Sequence, residues 1–327
     1  MTTLIIQIPC YNEEENLGTT LAQLPRQFPG VDKIEWLVID DGSKDRTSEV
    51  AKDYGVDYVV KHPQNRGLAK AFITGLESCL SCGADIIVNL DADNQYCAEY
   101  IPDLIQPIIE GKAEIVIGAR PIEEISGFSW TKKFLQKIGS WVVRLASGTD
   151  IPDATSGFRA FSRNAAMQMR VYSRYTYTLE TIIQAGQREL DISWVPIRTN
   201  PVSRPSRLIR NIPSYLFHSA VTIVRIFVVY RPFRFFLTIG LLFLLLGTAL
   251  GARFLWYYFS GEGQGHIQSL ILASILIGIS FQTIMVAFVT DLLSVNRRLA
   301  EDIRYGLLSK EESVPNHIAT RGKNFQI

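Results

Sequence analysis

Short apolar runs alternate with segments of helical period through the first half of the chain. Leu4 to Pro9 reads as an apolar strand ending at a proline, and Glu14 to Leu24 as a helix. Ile34 to Ile39 is a second strand. It is followed by a helix over Asp45 to Tyr54, with Asp45 well suited to a helix start. Asp57 to Val60 is a short third strand, Gly67 to Leu80 a helix, Asp85 to Leu90 a fourth strand and Ile115 to Gly118 a fifth. This βαβα rhythm predicts an α/β fold: a mostly parallel, Rossmann-like sheet with helices on both faces. Ligands of such sheets bind beyond the carboxyl ends of the strands, where this chain places its polar clusters.

The pattern changes after residue 200. From Val202 to Arg234, apolar residues such as Leu208, Ile209, Ile212 and Leu216 interleave with Arg207, Arg210, His218 and Arg225. That reads as amphipathic helices at a membrane interface or, alternatively, a helix packed on the preceding domain. Phe235 to Ala252 then carries no charge, and after Arg253 the run continues to Tyr258. Ile267 to Thr290 is likewise uncharged. Each run meets the roughly 20 apolar residues a bilayer demands. The loop Ser260 to His266 has no Lys or Arg, whereas Arg225, Arg231, Arg234, Arg297, Arg298 and Arg304 flank the other ends. The positive-inside rule therefore predicts a multi-pass protein of the cell (inner) membrane with both termini cytoplasmic. Trp256, Tyr257 and Tyr258 fall where an interfacial aromatic belt belongs. The expected organisation is an α/β domain over 1–200, juxtamembrane helices over 201–234, two spans within 235–291 (about 235–258 and 267–290) and a polar tail over 292–327.

Composition narrows the classes. Hydrophobic residues make up 47% and charged residues 20%, so a large core is expected rather than disorder. The net charge of +1 argues against a nucleic-acid binder. Arginines without any Asp or Glu mark Arg198 to Arg234, while the acidic residues concentrate in the first half. Cys79 and Cys82 have CxxC spacing, but no second pair or nearby His completes a zinc site. With Cys10 and Cys97 they indicate no disulfide scaffold. No signal peptide is expected at the N-terminus.

Asp91-Ala92-Asp93 directly follows the apolar run Ile86 to Leu90. Carboxylates at i and i+2 of a strand end can face one divalent cation bound to a diphosphate, with Gln95 adding a carbonyl oxygen. Taken alone, such a pair also suits a solvated turn. Asp40-Asp41-Gly42-Ser43 ends another strand, where acidic groups can accept hydrogen bonds from a base or ribose; a turn with helix capping is the alternative. Pro9-Cys10-Tyr11-Asn12-Glu13-Glu14 closes the first strand along the same sheet edge. Asn65-Arg66-Gly67 offers a turn and a cation at a helix start.

Together these motifs resemble family 2 glycosyltransferases of the GT-A fold over about residues 1–200. Gly118-Ala119-Arg120, Thr155-Ser156-Gly157-Phe158-Arg159 and the two C-terminal apolar runs are similar, more narrowly, to polyprenyl-phosphate glycosyltransferases such as dolichyl-phosphate mannose synthases. The resemblance implies that Pro9, Tyr11, Glu13, Asp40 and Asp41 hold the nucleotide-sugar, and that Asp91, Asp93 and Gln95 hold Mg²⁺ or Mn²⁺ and the diphosphate. It places Arg120 on a phosphate, Ser156 and Arg159 beside the acceptor phosphate, and Asp153 near the sugar or metal. Many relatives carry a proline soon after the Gln; this chain reads Asp-Ala-Asp-Asn-Gln-Tyr there.

The implied activity is inverting transfer of a sugar, glucose from UDP first and mannose from GDP second, to the lipid acceptor polyprenyl phosphate. Chemistry agrees with that acceptor. An alcohol needs a general base, for which Glu180 is the candidate. A phosphate monoester has a second pKa near ~6 and is already largely a dianion. It needs positive charge to hold it in line, which Arg120, Arg159, Arg204, Arg207 and Arg210 can supply. For the last three, attraction to anionic lipid headgroups is the alternative role. A processive synthase or alcohol-directed transferase is the competing reading, but the Q-x-x-R-W motif of processive relatives is absent. A non-catalytic nucleotide-sugar binder is a third. A homo-oligomer, tetramers included, is expected from the family.

Overall fold

The computed structural model describes residues 1–121, 144, 148–171, 177–200, 221, 224, 225, 228–261 and 263–312. The chain divides into two compact units, one containing the sheet within Met1–Phe217 and the other His218–Gly306.

In the first unit the described strands are β1 (Thr3–Cys10), β2 (Lys33–Asp40), β3 (Tyr58–Lys61), β4 (Ile86–Asn89), β5 (Ile115–Ala119), β6 (Arg159–Ser162) and β7 (Ile192–Pro196). They form one sheet in the order β3-β2-β1-β4-β6-β5-β7. β1 pairs parallel with β2 and β4, β2 with β3, and β5 with β7; β6 alone runs antiparallel, between β4 and β5. The helices are α1 (Leu17–Ala22), α2 (Thr47–Asp53), α3 (Leu68–Ser81), α4 (Ile101–Ile109), α5 (Arg163–Gln168) and α6 (Thr178–Gln187). β1 is buried on both faces, as a central parallel strand must be. Its one polar interior residue, Gln7, donates to Asn89 Oδ1 of β4 at 2.9 Å, so neither amide is left unpaired.

The five strands expected from the apolar runs are all present. α1 is shorter than expected. The main-chain Glu13 oxygen accepts from Asn16 N and Leu17 N, a turn that delays the helix to Leu17. α2 likewise starts at Thr47, because the Asp45 carboxylate accepts from Thr47 N and Oγ1 instead of entering the helix.

In the second unit, α7 (Pro232–Phe259) and α8 (Ile267–Glu312) are both long and apolar enough to cross a membrane. At 1.5 Å per residue, α7 is about 42 Å long, beyond the ~30 Å hydrocarbon core. Small residues bring the two helices together. A Cβ on Gly240 or Gly247 would meet Ile284 at 2.7 Å or Ile277 at 2.9 Å, and Ser280 Oγ donates to the Gly240 carbonyl at 2.9 Å. Such close backbone approach is how membrane helices pack. The outward faces, including Leu245, Phe281 and Phe288, are exposed and apolar. α8 runs on past Thr290, so residues 292–312 continue the helix. Most of the expected amphipathic segment and the residues after Glu312 lie outside the described part of the chain.

Candidate active site

Parallel register brings three strand ends to one edge. Cys10 pairs with Asp40, and Gln7 with Asn89, so the chain leaving β1, β2 and β4 forms adjacent loops. The first two loops are laced together. Asn12 N donates to Ser43 Oγ and Glu13 N to Thr47 Oγ1, each at 2.9 Å, while Lys44 N donates to Asn12 Oδ1 at 2.9 Å. Pro9 is buried within β1, Tyr11 is exposed, and Glu13 is half-buried.

Asp40 is fully buried. Its Oδ1 accepts from Ser43 N at 2.7 Å, its Oδ2 from Ser48 Oγ, and Lys61 Nζ lies 3.4 Å away. Burial pushes this carboxyl up, but the serine hydrogen bonds and Lys61 outweigh it and hold it below the ordinary range.

Asp41 does structural work instead of facing a ligand. Its oxygens accept from Arg66 N at 2.9 Å and Gly67 N at 2.8 Å, and His62 Nδ1 lies 2.7 Å from Oδ1. The expectation that Asp41 binds nucleotide is thereby corrected: its acceptor positions are committed to the loop before α3. Gly42 makes this packing possible. It sits at φ +73°, and a Cβ there would lie 2.5 Å from the Gln64 carbonyl carbon.

Asp91 and Asp93 follow β4 and are both half-buried. Burial raises the Asp91 carboxyl to about 7; Asp93 adds to the rise, while Arg120 and Arg159 oppose it. Among the described residues no hydrogen-bond donor reaches the Asp91 carboxylate, whereas Asp93 Oδ1 accepts from Gln95 N at 3.1 Å. A partly buried carboxylate without a donor, next to a second carboxylate, is short of positive charge. That is the condition a divalent cation corrects. Among the described residues, no cluster of three or more His, Cys, Asp or Glu surrounds a single point. Two neighbouring carboxylates, completed by substrate phosphates and water, suit Mg²⁺ or Mn²⁺.

Behind Asp91 lies a polar wall. Asn89 Nδ2 donates to the Gly157 carbonyl and to Tyr177 Oη, both at 2.8 Å, and Gly157 N donates to Tyr96 Oη at 3.0 Å. Tyr177 stacks on Phe72 at 3.9 Å, and Tyr96 on Phe158 at 5.3 Å. A Cβ on Gly157 would meet Asp91 Oδ2 at 2.6 Å.

Arg120, just past β5, makes a two-pronged pair with Asp153. Nε donates to Oδ2 at 2.7 Å and Nη2 to Oδ1 at 3.2 Å, and Nη2 also donates to Thr155 Oγ1 at 2.9 Å. Asp153 is fully buried. Burial opposes its charge, but Arg120 and the Thr155 hydroxyl outweigh that and lower the carboxyl. Asp153 is thus positioned against Arg120.

Arg159 and Ser156 require correction, because both have no exposed surface. Arg159 donates from Nε to the Ser156 carbonyl at 2.8 Å and from Nη1 to the Thr178 carbonyl at 2.8 Å and Thr181 Oγ1 at 2.6 Å. Nη2 donates to the Ala154 carbonyl at 2.9 Å. It is an interior guanidinium holding the 154–156 loop against the start of α6, and it is not free for an acceptor phosphate. The Ser156 hydroxyl accepts from Phe158 N at 3.3 Å. Glu180, the base candidate for an alcohol acceptor, is buried in the first turn of α6. Arg204, Arg207 and Arg210 lie outside the described residues.

Asn89, Tyr177 and Asn200 carry no motif and escaped the sequence reading. The available signal was a polar residue in a buried strand, which must be paired.

A mostly parallel sheet with one antiparallel strand, whose β4 ends in paired carboxylates at the edge where such sheets bind ligands, has the architecture of a GT-A glycosyltransferase. The chain belongs to Glycosyl transferase family 2, whose model matches residues 5–170. It is 35% identical over 214 residues to a UDP-N-acetylglucosamine–dolichyl-phosphate N-acetylglucosaminyltransferase of Methanococcus voltae, covering 59% of this chain and 83% of that one. It is 31% identical over 168 residues to a polyprenol monophosphomannose synthase of Mycolicibacterium smegmatis, covering 49% and 62%. The fold resembles glucosyl-3-phosphoglycerate synthase of Mycobacterium tuberculosis, solved with Mn²⁺, UDP and glucosyl-3-phosphoglycerate. The TM-score is 0.54 at 20% identity, over 69% of this chain and 79% of that one.

Proposed function

We propose that the chain transfers a hexose, with inversion, from a nucleotide-diphosphate sugar to the phosphate of a polyprenyl phosphate at the cytoplasmic face of a membrane. The observation that carries this is the donor-free Asp91 carboxylate beside Asp93 at the end of β4. The acceptors named for the Methanococcus and Mycolicibacterium relatives support the lipid phosphate. The pair α7 and α8 supports a membrane setting, and the arginine-rich flanks favour cytoplasmic termini.

Asp91, Asp93 and Gln95 hold Mg²⁺ or Mn²⁺, which neutralises the diphosphate leaving group. The Mn²⁺- and UDP-bound synthase of the same fold agrees with such a cofactor. Tyr11 and Glu13, beside Pro9, hold the nucleotide, and Asp40, engaged by Ser43, Ser48 and Lys61, shapes the loop beneath it. The acceptor phosphate attacks as a dianion and needs no general base. Arg120 is held by Asp153, which offsets its charge, so Arg204 and Arg207 supply the rest of the positive field for the acceptor. UDP-glucose is the first donor candidate and GDP-mannose the second. The Methanococcus relative adds UDP-N-acetylglucosamine. The chain works as a homo-oligomer, with tetramers in scope.

The test is incubation of purified protein with Mg²⁺ or Mn²⁺, polyprenyl phosphate and a panel of labelled UDP- and GDP-sugars. One donor giving a label that extracts with lipid, and none without the lipid, supports the reading. Label in long polymer, or transfer to an alcohol with no phosphate requirement, refutes it.

A further inference from the structure

The segment after β7 stitches two parts of the site together. Ile197 N donates to the Ala119 carbonyl at 3.0 Å, next to Arg120. Thr199 bridges Tyr96, and Asn200 N donates to the Gln95 carbonyl at 2.9 Å. The Asn200 side chain adds two more bonds: Nδ2 donates to the Asn94 carbonyl at 2.9 Å, and Oδ1 accepts from Cys97 Sγ at 3.1 Å. One residue therefore binds three successive parts of the loop that carries Asp93 and Gln95.

That loop needs an outside support. Asn94 sits at φ +55°, in the left-handed region. Its Oδ1 is buried and finds no hydrogen-bond partner. Within the loop, the 3.1 Å bond from Gln95 N to Asp93 Oδ1 is a local turn contact. On the other side, Thr20 Oγ1 of α1 donates to the Ala92 carbonyl at 3.0 Å. Thr20 fixes the start of the loop and Asn200 its far end.

We propose that Asn200 is a positioning residue for the metal–diphosphate loop, locking the main chain around Gln95 to the strand end that carries Arg120. This rests on the function proposed above. Asn200 touches neither metal nor sugar; it acts through the carbonyls it holds. Its loss lets Gln95 and Asp93 drift relative to Asp91, which weakens cation binding before it affects the lipid. Outer-shell residues of metal sites have effects of this kind.

The experiment uses the full chain in detergent or nanodiscs, with Asn200→Ala and the isosteric Asn200→Asp. In Asn200→Asp the main-chain bond to Gln95 and the acceptor for Cys97 remain, but an oxygen replaces the donor facing the Asn94 carbonyl. Mn²⁺ is titrated by calorimetry in the presence of UDP and, in a second arm, GDP. Steady-state turnover is then followed against Mn²⁺ and against polyprenyl phosphate. Both variants are expected to raise the half-saturating Mn²⁺ by about tenfold or more, with excess Mn²⁺ restoring most of kcat. KM for polyprenyl phosphate is expected to stay within about twofold of the unsubstituted chain. If Asn200→Ala does not fold, Asn200→Asp carries the test. Unchanged Mn²⁺ dependence in a folded variant, while the unsubstituted chain turns over, overturns this inference alone. Failure of the unsubstituted chain to bind Mn²⁺ with either nucleotide overturns the functional reading and this inference with it.

Discussion

A methyl group on Gly157 would sit 2.6 Å from Asp91 Oδ2 and 2.9 Å from Tyr177 Oη. Tyr177 cannot yield, because it is stacked on Phe72 and its Oη accepts from Asn89. Gly157→Ala must therefore move the Asp91 carboxylate. The expected result is a fold that survives, at a cost of about 1–3 kcal/mol for overpacking, with metal-dependent turnover falling at least about tenfold. Melting temperature and Mn²⁺-dependent rate, measured side by side, check it; a variant with normal turnover would contradict it. Arg159 is the opposite case, a residue whose removal strikes the fold. Arg159→Ala leaves the Ala154, Ser156 and Thr178 carbonyls without their donor. Each unmet group costs about 1–3 kcal/mol. A lower melting temperature is expected, with no specific rise in KM for the lipid at temperatures where the variant is folded. A selective rise in that KM at unchanged stability would return Arg159 to the acceptor phosphate.

At the scale of elements, the site is a set of strand ends held by cross-links, and the link between the end of β5 and the following loop is the Arg120–Asp153 pair. Asp153 has its carboxyl lowered from the ordinary 3.8. A carboxyl whose folded pKa is depressed contributes stability above its unfolded value and loses that contribution as pH falls through the folded value. Asp153→Asn, which leaves Arg120 buried without its charge partner, is expected to be about 3–5 kcal/mol less stable at pH 7. The gap to the unsubstituted chain should narrow as pH drops below about 4. Melting curves from pH 7 to pH 3 measure it, and a gap independent of pH would contradict the assignment.

The elements also show what a sequence displays and what it hides. Central strands β1, β2 and β4 are buried on both faces, so their apolar runs are nearly unbroken and easily read. The carboxylates after β2 and β4 were found because they stand directly behind such runs. β6 was missed: it is four residues long and opens on an arginine. β7 was missed because it is only half covered and ends in a proline. Spacing also fails to say whether a side chain points in or out. Hence Asp41 and Arg159 carried motif roles, yet fold inward to hold loops. Asn200 was invisible because its partners lie about a hundred residues away in sequence.

On the scale of the whole molecule, a family 2 glycosyltransferase unit is joined in one chain to a pair of long apolar helices. Under the positive-inside rule, the proposed topology has the sheet unit on the cytoplasmic side and the Ser260 to His266 loop on the other. A cysteine at Ser260, in a background where Cys10, Cys79, Cys82 and Cys97 are replaced, should react with a membrane-impermeant maleimide added to intact cells. Labelling only after permeabilisation would invert the topology. A lipid acceptor gives the joining of the two units a chemical purpose, since its phosphate must meet a water-soluble donor at the membrane surface. The most direct measurement is transfer of labelled sugar into lipid-extractable product by the purified chain, compared with the same chain in chelator and with Asp91→Asn. The account predicts product that requires both polyprenyl phosphate and divalent cation and drops by about a hundredfold or more in Asp91→Asn. Full transfer by Asp91→Asn, or transfer undiminished by chelator, would contradict it.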